Sequence, residues 1–261
     1  MMPTLSILIP SRLERDIQDR LFLESAVASI RAQTGHSMAL QILVGIDAGA
    51  AIPPGIETRL GVRFVESLGK SQAAALNAAA GVMTGDYVAI LEDDDQWNDG
   101  FLYCALSMLK EDFDFSSSTQ LEVTPDRKII RVAEFPTPSG WVMRRAIWDQ
   151  VGLFNEEYRF HLDNEWLGRL GETNARRVHL CEATTPMDYN TLPQSRPFLG
   201  ELLQKGKPKV ELARHDSPWP LVVRLCHPGS GMAQVRDNDA ARERSDAEAA
   251  QLERRFGHRP W

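Results

Sequence analysis

Tyr87-Val88-Ala89-Ile90-Leu91-Glu92-Asp93-Asp94-Asp95-Gln96-Trp97 is the stretch on which the reading of this chain turns. Five apolar or aromatic residues run straight into four acids. The apolar run has the length and β-branched content of a buried strand, and Gly85-Asp86 ahead of it is a turn signal. Four carboxylates at a strand end repel one another. At neutral pH a cation must offset them, or some of them must hold protons. Oxygen ligands in this position suit Mg²⁺ or Mn²⁺, ions that commonly hold a substrate phosphate as well. An acidic run by itself is more often a solvated loop; the strand before it and Trp97 after it favour a metal site here.

Working outward toward the N-terminus, the same strand type recurs. Leu5-Ser6-Ile7-Leu8-Ile9 is a buried strand stopped by Pro10, with Ser11-Arg12 at its carboxyl end. Leu23, Ala26, Val27 and Ile30 follow at helical spacing, and Gly35 closes that helix. Ile42 to Ile46 is a second buried strand ending at Asp47, and Val62 to Val65 a shorter third. Ala73, Leu76, Ala79 and Ala80 mark a helix of small residues, able to lie close to a sheet. Strands alternating with helices predict an α/β fold, with a Rossmann-like, mostly parallel central sheet and helices on both faces. Ligands bind such sheets outside the carboxyl ends of the strands. Ser11, Asp47 and Glu92 to Asp95 all fall on that edge.

Beyond the acids, Phe101 to Leu109 reads as an amphipathic helix. Thr119 to Val123 and Lys128 to Ala133 flank the turn Thr124-Pro125-Asp126-Arg127, a hairpin that predicts a small antiparallel extension. Ser139 to Met143 reads as a short strand, Arg145 to Val151 and Asp163 to Leu170 as helices, and Arg177 to Cys181 as a last strand. The expected organisation is a main domain over residues 1–184 and a partly helical extension over 185–261 with a charged end. Prolines punctuate that extension, and only Phe198 to Leu203 and Leu221 to Leu225 look packed. From Gln234 to Arg255 the chain is nearly all Ala, Glu, Asp and Arg, with Leu252 and Phe256 its large apolar pair. That composition predicts a solvated helix, partly disordered or serving as a partner contact, a homodimer among the options.

Composition sets bounds. The 261 residues suffice for one large core, and a 43% apolar and 25% charged content is ordinary for a soluble enzyme. A net charge of −7 argues against a nucleic-acid partner. Cys104, Cys181 and Cys226 are far apart and show no zinc spacing, which points to reduced thiols and a cytoplasmic setting, membrane-peripheral association remaining open. The Leu5 to Ile9 run is too short for a secretion signal, and no run is long enough for a transmembrane segment. Gly69-Lys70-Ser71 hints at a phosphate loop, but the first glycine of that pattern falls on Phe64, which excludes it. Lys70 stays a candidate for approaching a phosphate, against the commoner surface lysine. An EF-hand from Asp95 fails because Trp97 stands at a required oxygen position.

Four blocks, taken in order, resemble the inverting, metal-dependent glycosyltransferases of family 2, which have the GT-A fold. They are Ser6 to Ser11; Ala28 to Gln33 with Ile42 to Asp47; Ala74 to Ala79 with Gly85 to Tyr87 and Leu91 to Trp97; and Trp141 to Arg145 with Val151 to Glu156 and Asp163 to Leu170. The resemblance covers about Leu5 to Glu182. It implies a nucleotide-diphospho-sugar donor, by family frequency a UDP-sugar, a sugar, lipid or protein acceptor, and Mn²⁺ or Mg²⁺ as cofactor. It implies that Pro10, Ser11 and Arg12 line the nucleoside pocket, that Asp47 bonds the base, and that Glu92, Asp93 and Asp94 form the D-x-D motif. Within that motif the resemblance implies that Asp93 meets the diphosphate and that Asp94 and Glu92 hold the metal. Asp163 matches the catalytic base, and Gly140 and Trp141 fall near the sugar and acceptor.

The chain departs from the pattern in three places. Glu92 takes the first D-x-D position, Leu162 and Glu165 split the usual acid pair around Asp163, and Asp47 has no second acid beside it. By itself Asp163 would more often be a helix cap. Some family members recruit a late histidine to the metal; His215 and His227 are the candidates, with a structural or surface role weighed against them. Two other functions compete. A sugar nucleotidylyltransferase needs a glycine-rich loop after the first strand, and Ser11-Arg12-Leu13-Glu14-Arg15 has no glycine. A non-catalytic carbohydrate-binding protein on a decayed transferase fold fits the irregular base motif.

Overall fold

The structure is a computed structural model that describes residues 2–183 and 210–257. The expected packed segment at 198–203 lies outside the described residues, as does His258. Among the described residues one sheet has eight strands. In chain order these are β1 (Thr4–Ser11), β2 (Ala39–Ile46), β3 (Arg63–Glu66), β4 (Tyr87–Ile90), β6 (Phe115–Ser118), β9 (Val142–Arg144), β10 (Arg177–Glu182) and β11 (Val210–His215). Their spatial order is β11-β10-β6-β9-β4-β1-β2-β3. Every pairing is parallel except those of β9, which runs antiparallel to both β4 and β6. The mostly parallel α/β sheet is therefore as expected. The sequence reading missed β6, a run of phenylalanine and three serines without strand periodicity.

Strand alternation explains the two-sided core. Leu5, Ile7 and Ile9 of β1 and Ile42, Val44 and Ile46 of β2 face the helices α1 (Phe22–Arg31) and α4 (Phe101–Lys110). Leu8 and Leu43 point to the other face, where α3 (Gln72–Ala80), α5 (Arg145–Val151) and α6 (Leu162–Gly171) pack. Each fully buried Leu or Ile contributes about 1.5–3 kcal/mol. The small-residue face of α3 reaches the sheet at Gly45. A Cβ there would sit 1.9 Å from the Ala75 carbonyl oxygen, so only glycine admits the helix.

A second sheet has the order β5-β12-β7-β8, made by β5 (Gln96–Trp97), β7 (Gln120–Val123), β8 (Ile129–Ala133) and β12 (Val222–Leu225). The 120–133 hairpin is antiparallel as expected, while β12 joins β7 in parallel and β5 antiparallel. The described part of the expected extension is thus woven into both sheets: β11 edges the central one and β12 sits inside the small one. Two helices follow, α7 (Gly231–Asp237) and α8 (Asp239–Phe256). The expectation of a solvated helix here needs correcting. Ser245, Glu248, Ala249 and Leu252 of α8 are buried, and Leu252 packs into the core with Leu162 and Trp166. Among the described residues no helix is long and apolar enough to cross a membrane.

Candidate active site

The carboxyl ends of β1, β2 and β4 open into a cavity of about 490 Å³. Pro10, Ser11, Arg12, Asp47, Lys70, Glu92, Asp93, Asp94 and Asp163 all line it. The parallel register brings these sequence-distant residues to one edge: Ser11 pairs with Ile46, and Leu8 with Ile90. Ser71 caps α3 by accepting from the Ala74 N–H at 3.1 Å, which fixes the loop bearing Lys70.

Each acid in the turn after β4 has its own partners. Ser11 Oγ donates to Asp93 Oδ2 at 2.5 Å. Gln72 Nε2 donates to Glu92 Oε1. His227 Nε2 lies 2.9 Å from Asp94 Oδ2. Asp95 turns inward, accepting from Ser139 Oγ at 2.5 Å and from the Leu225 N–H at 3.0 Å. Burial and the neighbouring Asp94 push Glu92 up to about 7 and Asp93 up to about 8. Burial, again with Asp94, raises Asp95 well above the carboxylate range. The Asp94 hydrogen bond raises His227. These upward shifts are the signature of carboxylates short of positive charge.

One internal cation answers part of that need. Arg224 of β12 lines the cavity; burial alone would lower its pKa, but Glu92, Asp95 and Glu122 surround it and raise it. Glu122, also on the cavity wall, lies 3.6 Å from Arg224 and 2.6 Å from Arg131. The sequence reading did not single out Arg224 or Glu122. A lone arginine inside the apolar run Leu221 to Leu225 was the available signal. His227, weighed earlier chiefly as a structural or surface residue, instead arrives at the acidic turn. The other late candidate, His215, is buried at the end of β11 and does not line the cavity.

A divalent cation fits this donor set. Carboxylate oxygens of Glu92, Asp94 and Asp95 lie within 4.8 Å of one another. Both oxygens of Asp95 already accept hydrogen bonds, which makes it a brace for the turn. Glu92 and Asp94 are then the residues that would hold the ion, with His227 hydrogen-bonded to Asp94 at its edge.

Asp163 stands in the first turn of α6 on the cavity wall. Burial raises its carboxyl above the usual range, partly countered by the Asn164 N–H, which donates to Oδ1 at 2.7 Å. Glu165 faces away, held by Arg169 at 2.8 Å and Arg255 at 2.9 Å, so it braces the helix. Gly140 and Trp141 are not brought to the cavity. Trp141 is fully buried, donates Nε1–H to the Pro136 carbonyl at 2.9 Å, and packs on Trp166 with ring centroids 5.2 Å apart. Gly140 ends a 3₁₀ turn (Pro138–Gly140) against Ser118 where a strand was expected. From this segment Phe135, Thr137 and Pro138 line the cavity instead.

A sequence model described as Glycosyl transferase family 2 matches residues 6–172. No curated protein matches the sequence. Solved structures share the fold. S. aureus TarS residues 1–349 in complex with UDP-GlcNAc aligns over 96% of this chain and 66% of its own, at 11% identity and TM-score 0.59. The mannosyltransferase PcManGT from Pyrobaculum calidifontis, in complex with GDP-Man and Mn²⁺, aligns over 90% of this chain and 61% of its own, at 13% identity and TM-score 0.56. A further S. aureus TarS structure covers 97% of this chain and 43% of its own, at 12% identity and TM-score 0.55. This chain therefore spans about half to two thirds of the length of those proteins.

Proposed function

The chain belongs to glycosyl transferase family 2, and from that premise we propose that its cavity moves a sugar from a nucleoside-diphosphate sugar to an acceptor hydroxyl, with inversion. The observation that carries this is the meeting, in one cavity, of the acidic turn Glu92–Asp94 with Asp163, beside Ser11, Asp47 and Lys70. A volume of about 490 Å³ suits a ligand of nucleotide-sugar size. The solved relatives holding UDP-GlcNAc and GDP-Man support the donor class, and UDP is the first base to test.

In this reading Asp47 bonds the base, while Ser11 and Arg12 line the nucleoside pocket. Lys70 approaches the diphosphate, and Ser11 orients Asp93. Asp163 takes the proton of the acceptor hydroxyl as it attacks the anomeric carbon from the face opposite the leaving group. Its raised pKa matches that task, because a base with a pKa nearer neutrality holds the abstracted proton more readily. Glu92 and Asp94 would hold a Mn²⁺ or Mg²⁺ ion, which would supply stabilisation of the charge that develops on the departing diphosphate. Arg224 partly offsets the burial and repulsion that push Glu92 and Asp95 toward their protonated forms. Phe135, Thr137 and Pro138 take the acceptor-side position first expected of Gly140 and Trp141.

A panel of UDP-, GDP- and dTDP-sugars with and without Mn²⁺, read by thermal shift and by release of nucleoside diphosphate, tests the proposal. A ligand that binds only the folded form raises its stability by mass action. Metal-dependent stabilisation with slow cleavage of one donor is expected. Stabilisation without cleavage, in water or with acceptor sugars, would make the chain a nucleotide-sugar binder instead.

A further inference from the structure

The C-terminal helix α8 lies outside the residues matched by the family model, yet it grips the segment that leads into Asp163. Glu248 is the point of contact. Its Oε1 accepts from the Arg159 N–H at 2.8 Å, and its Oε2 from the N–H groups of Phe160 at 2.8 Å and His161 at 3.1 Å. Three consecutive main-chain donors thus converge on one buried carboxylate, 6% exposed. Arg244, one turn earlier on α8, donates to the same Oε1 at 3.0 Å and also to the Glu157 carbonyl at 3.2 Å. Ser245 Oγ meets His161 Nε2 at 3.0 Å. Further along, Arg255 pairs with Glu165, and the Phe256 ring occupies the space where a Gly168 Cβ would stand.

Stability alone does not account for this choice of residue. Leu252 and the Arg255–Glu165 pair already dock the helix. A surface loop can satisfy its N–H groups with water. Here a single rigid acceptor ties down three successive residues, all of which line the cavity, and the last of them is the cap residue of α6. Asp163 follows two positions later. Among the described residues its carboxylate accepts hydrogen bonds from Asn164 alone, so its placement is inherited from the loop and the first turn of α6. Misplacement of a reacting group by about 1 Å can cost on the order of 10² in rate.

We propose that Glu248 is a positioning residue for the transfer reaction, holding the Arg159–His161 loop so that Asp163 meets the acceptor hydroxyl. The proposal rests on the transferase reading above. It makes the C-terminal helix part of the frame of the active site.

The test uses the full chain and the variant Glu248→Gln, which keeps the shape and one acceptor oxygen. Asp246→Asn, at an exposed position on the same helix, is the control. Three quantities are read: amide hydrogen exchange across 158–164, affinity for Mn²⁺ with nucleoside diphosphate, and kcat and KM for donor cleavage. Glu248→Gln is expected to speed exchange at 159–161 at least tenfold and to lower kcat about tenfold or more. Nucleotide affinity and donor KM should stay within twofold, and the control should match the parent. An unchanged kcat overturns the proposal, and so does a parallel loss of kcat, donor KM and nucleotide affinity, which would mark general loosening. If the parent protein cleaves no nucleotide-sugar, the transferase reading fails. In that case unchanged exchange at 159–161 in Glu248→Gln would also overturn the anchoring by itself.

Discussion

Mn²⁺ titrated into the protein without nucleotide should bind about tenfold more tightly at pH 8 than at pH 6. The magnitude comes from Glu92, whose carboxyl is pushed up to about 7. A group of that pKa is about 9% ionised at pH 6 and about 91% at pH 8, and an ion that needs it ionised gains the ratio, near 1.4 kcal/mol. His227, raised by its hydrogen bond with Asp94, opposes the ion while it is protonated, so its loss of a proton steepens the slope. Water in the cavity screens part of the repulsion, so a threefold change is the smallest the reasoning tolerates. Linkage fixes a companion sign. The folded pKa values of Glu92 and Asp93 lie above their unfolded ones, so the metal-free fold binds protons that the unfolded chain releases. That contribution is complete below about pH 4 and is lost as pH rises toward about 8. Metal-free Tm should therefore carry a falling component across that window, and saturating Mn²⁺ should restore more stability at pH 8 than at pH 6. Calorimetric titration at pH 6, 7 and 8, in two buffers of different ionisation heat, reads both affinity and proton release. An affinity flat within twofold, with no protons released, would mean that these carboxyls do not hold the ion.

Asp163→Asn should lower donor turnover by about 10²–10⁴ while leaving nucleotide affinity intact; a comparable loss of donor affinity by calorimetry would give Asp163 another role. Arg224→Met removes the cation between Glu92, Asp95 and Glu122, so metal-free stability should fall by about 3–5 kcal/mol in urea, as expected when one partner of a buried charge set is lost. The same variant should show a larger Mn²⁺ thermal shift than the parent, and an equal shift would deny Arg224 its compensating part. Gly45→Ala drives a methyl into the Ala75 carbonyl and should cost at least about 2 kcal/mol by urea titration, a neutral result being incompatible with the close approach of α3.

Much of the fold was legible in local pattern. Buried parallel strands read as near-continuous apolar runs, and β1, β2 and β4 are built around such runs. Their alternation with helices forces a parallel sheet, and a parallel sheet puts strand ends on one edge. That is why the sequence alone places Ser11, Asp47 and the acids after β4 on one edge. The hairpin at 120–133 was visible from its turn residues.

The rest depended on long-range pairing, which leaves little mark on short segments. The three residues of β9 are too few to reveal that they run backward between β4 and β6. Trp141 offers the same ring to a sugar or to a core, and the packing of Phe115, Phe154 and Trp166 claims it. Helix α8 looked solvated because half of its buried face is polar; its docking relies on Glu248 and Arg255 finding partners that are 87–90 residues away.

By itself the sequence determined the parallel half of the sheet around β1, β2 and β4, its strand-end edge and the acids on it, because hydrophobic periodicity and strand ends are local properties. Only the tertiary structure decided how those acids are held. Arg224 and His227 reach them from a distant strand and loop, Glu248 holds the neighbouring 159–161 loop from helix α8, and a buried charge takes its partners from wherever the chain folds back.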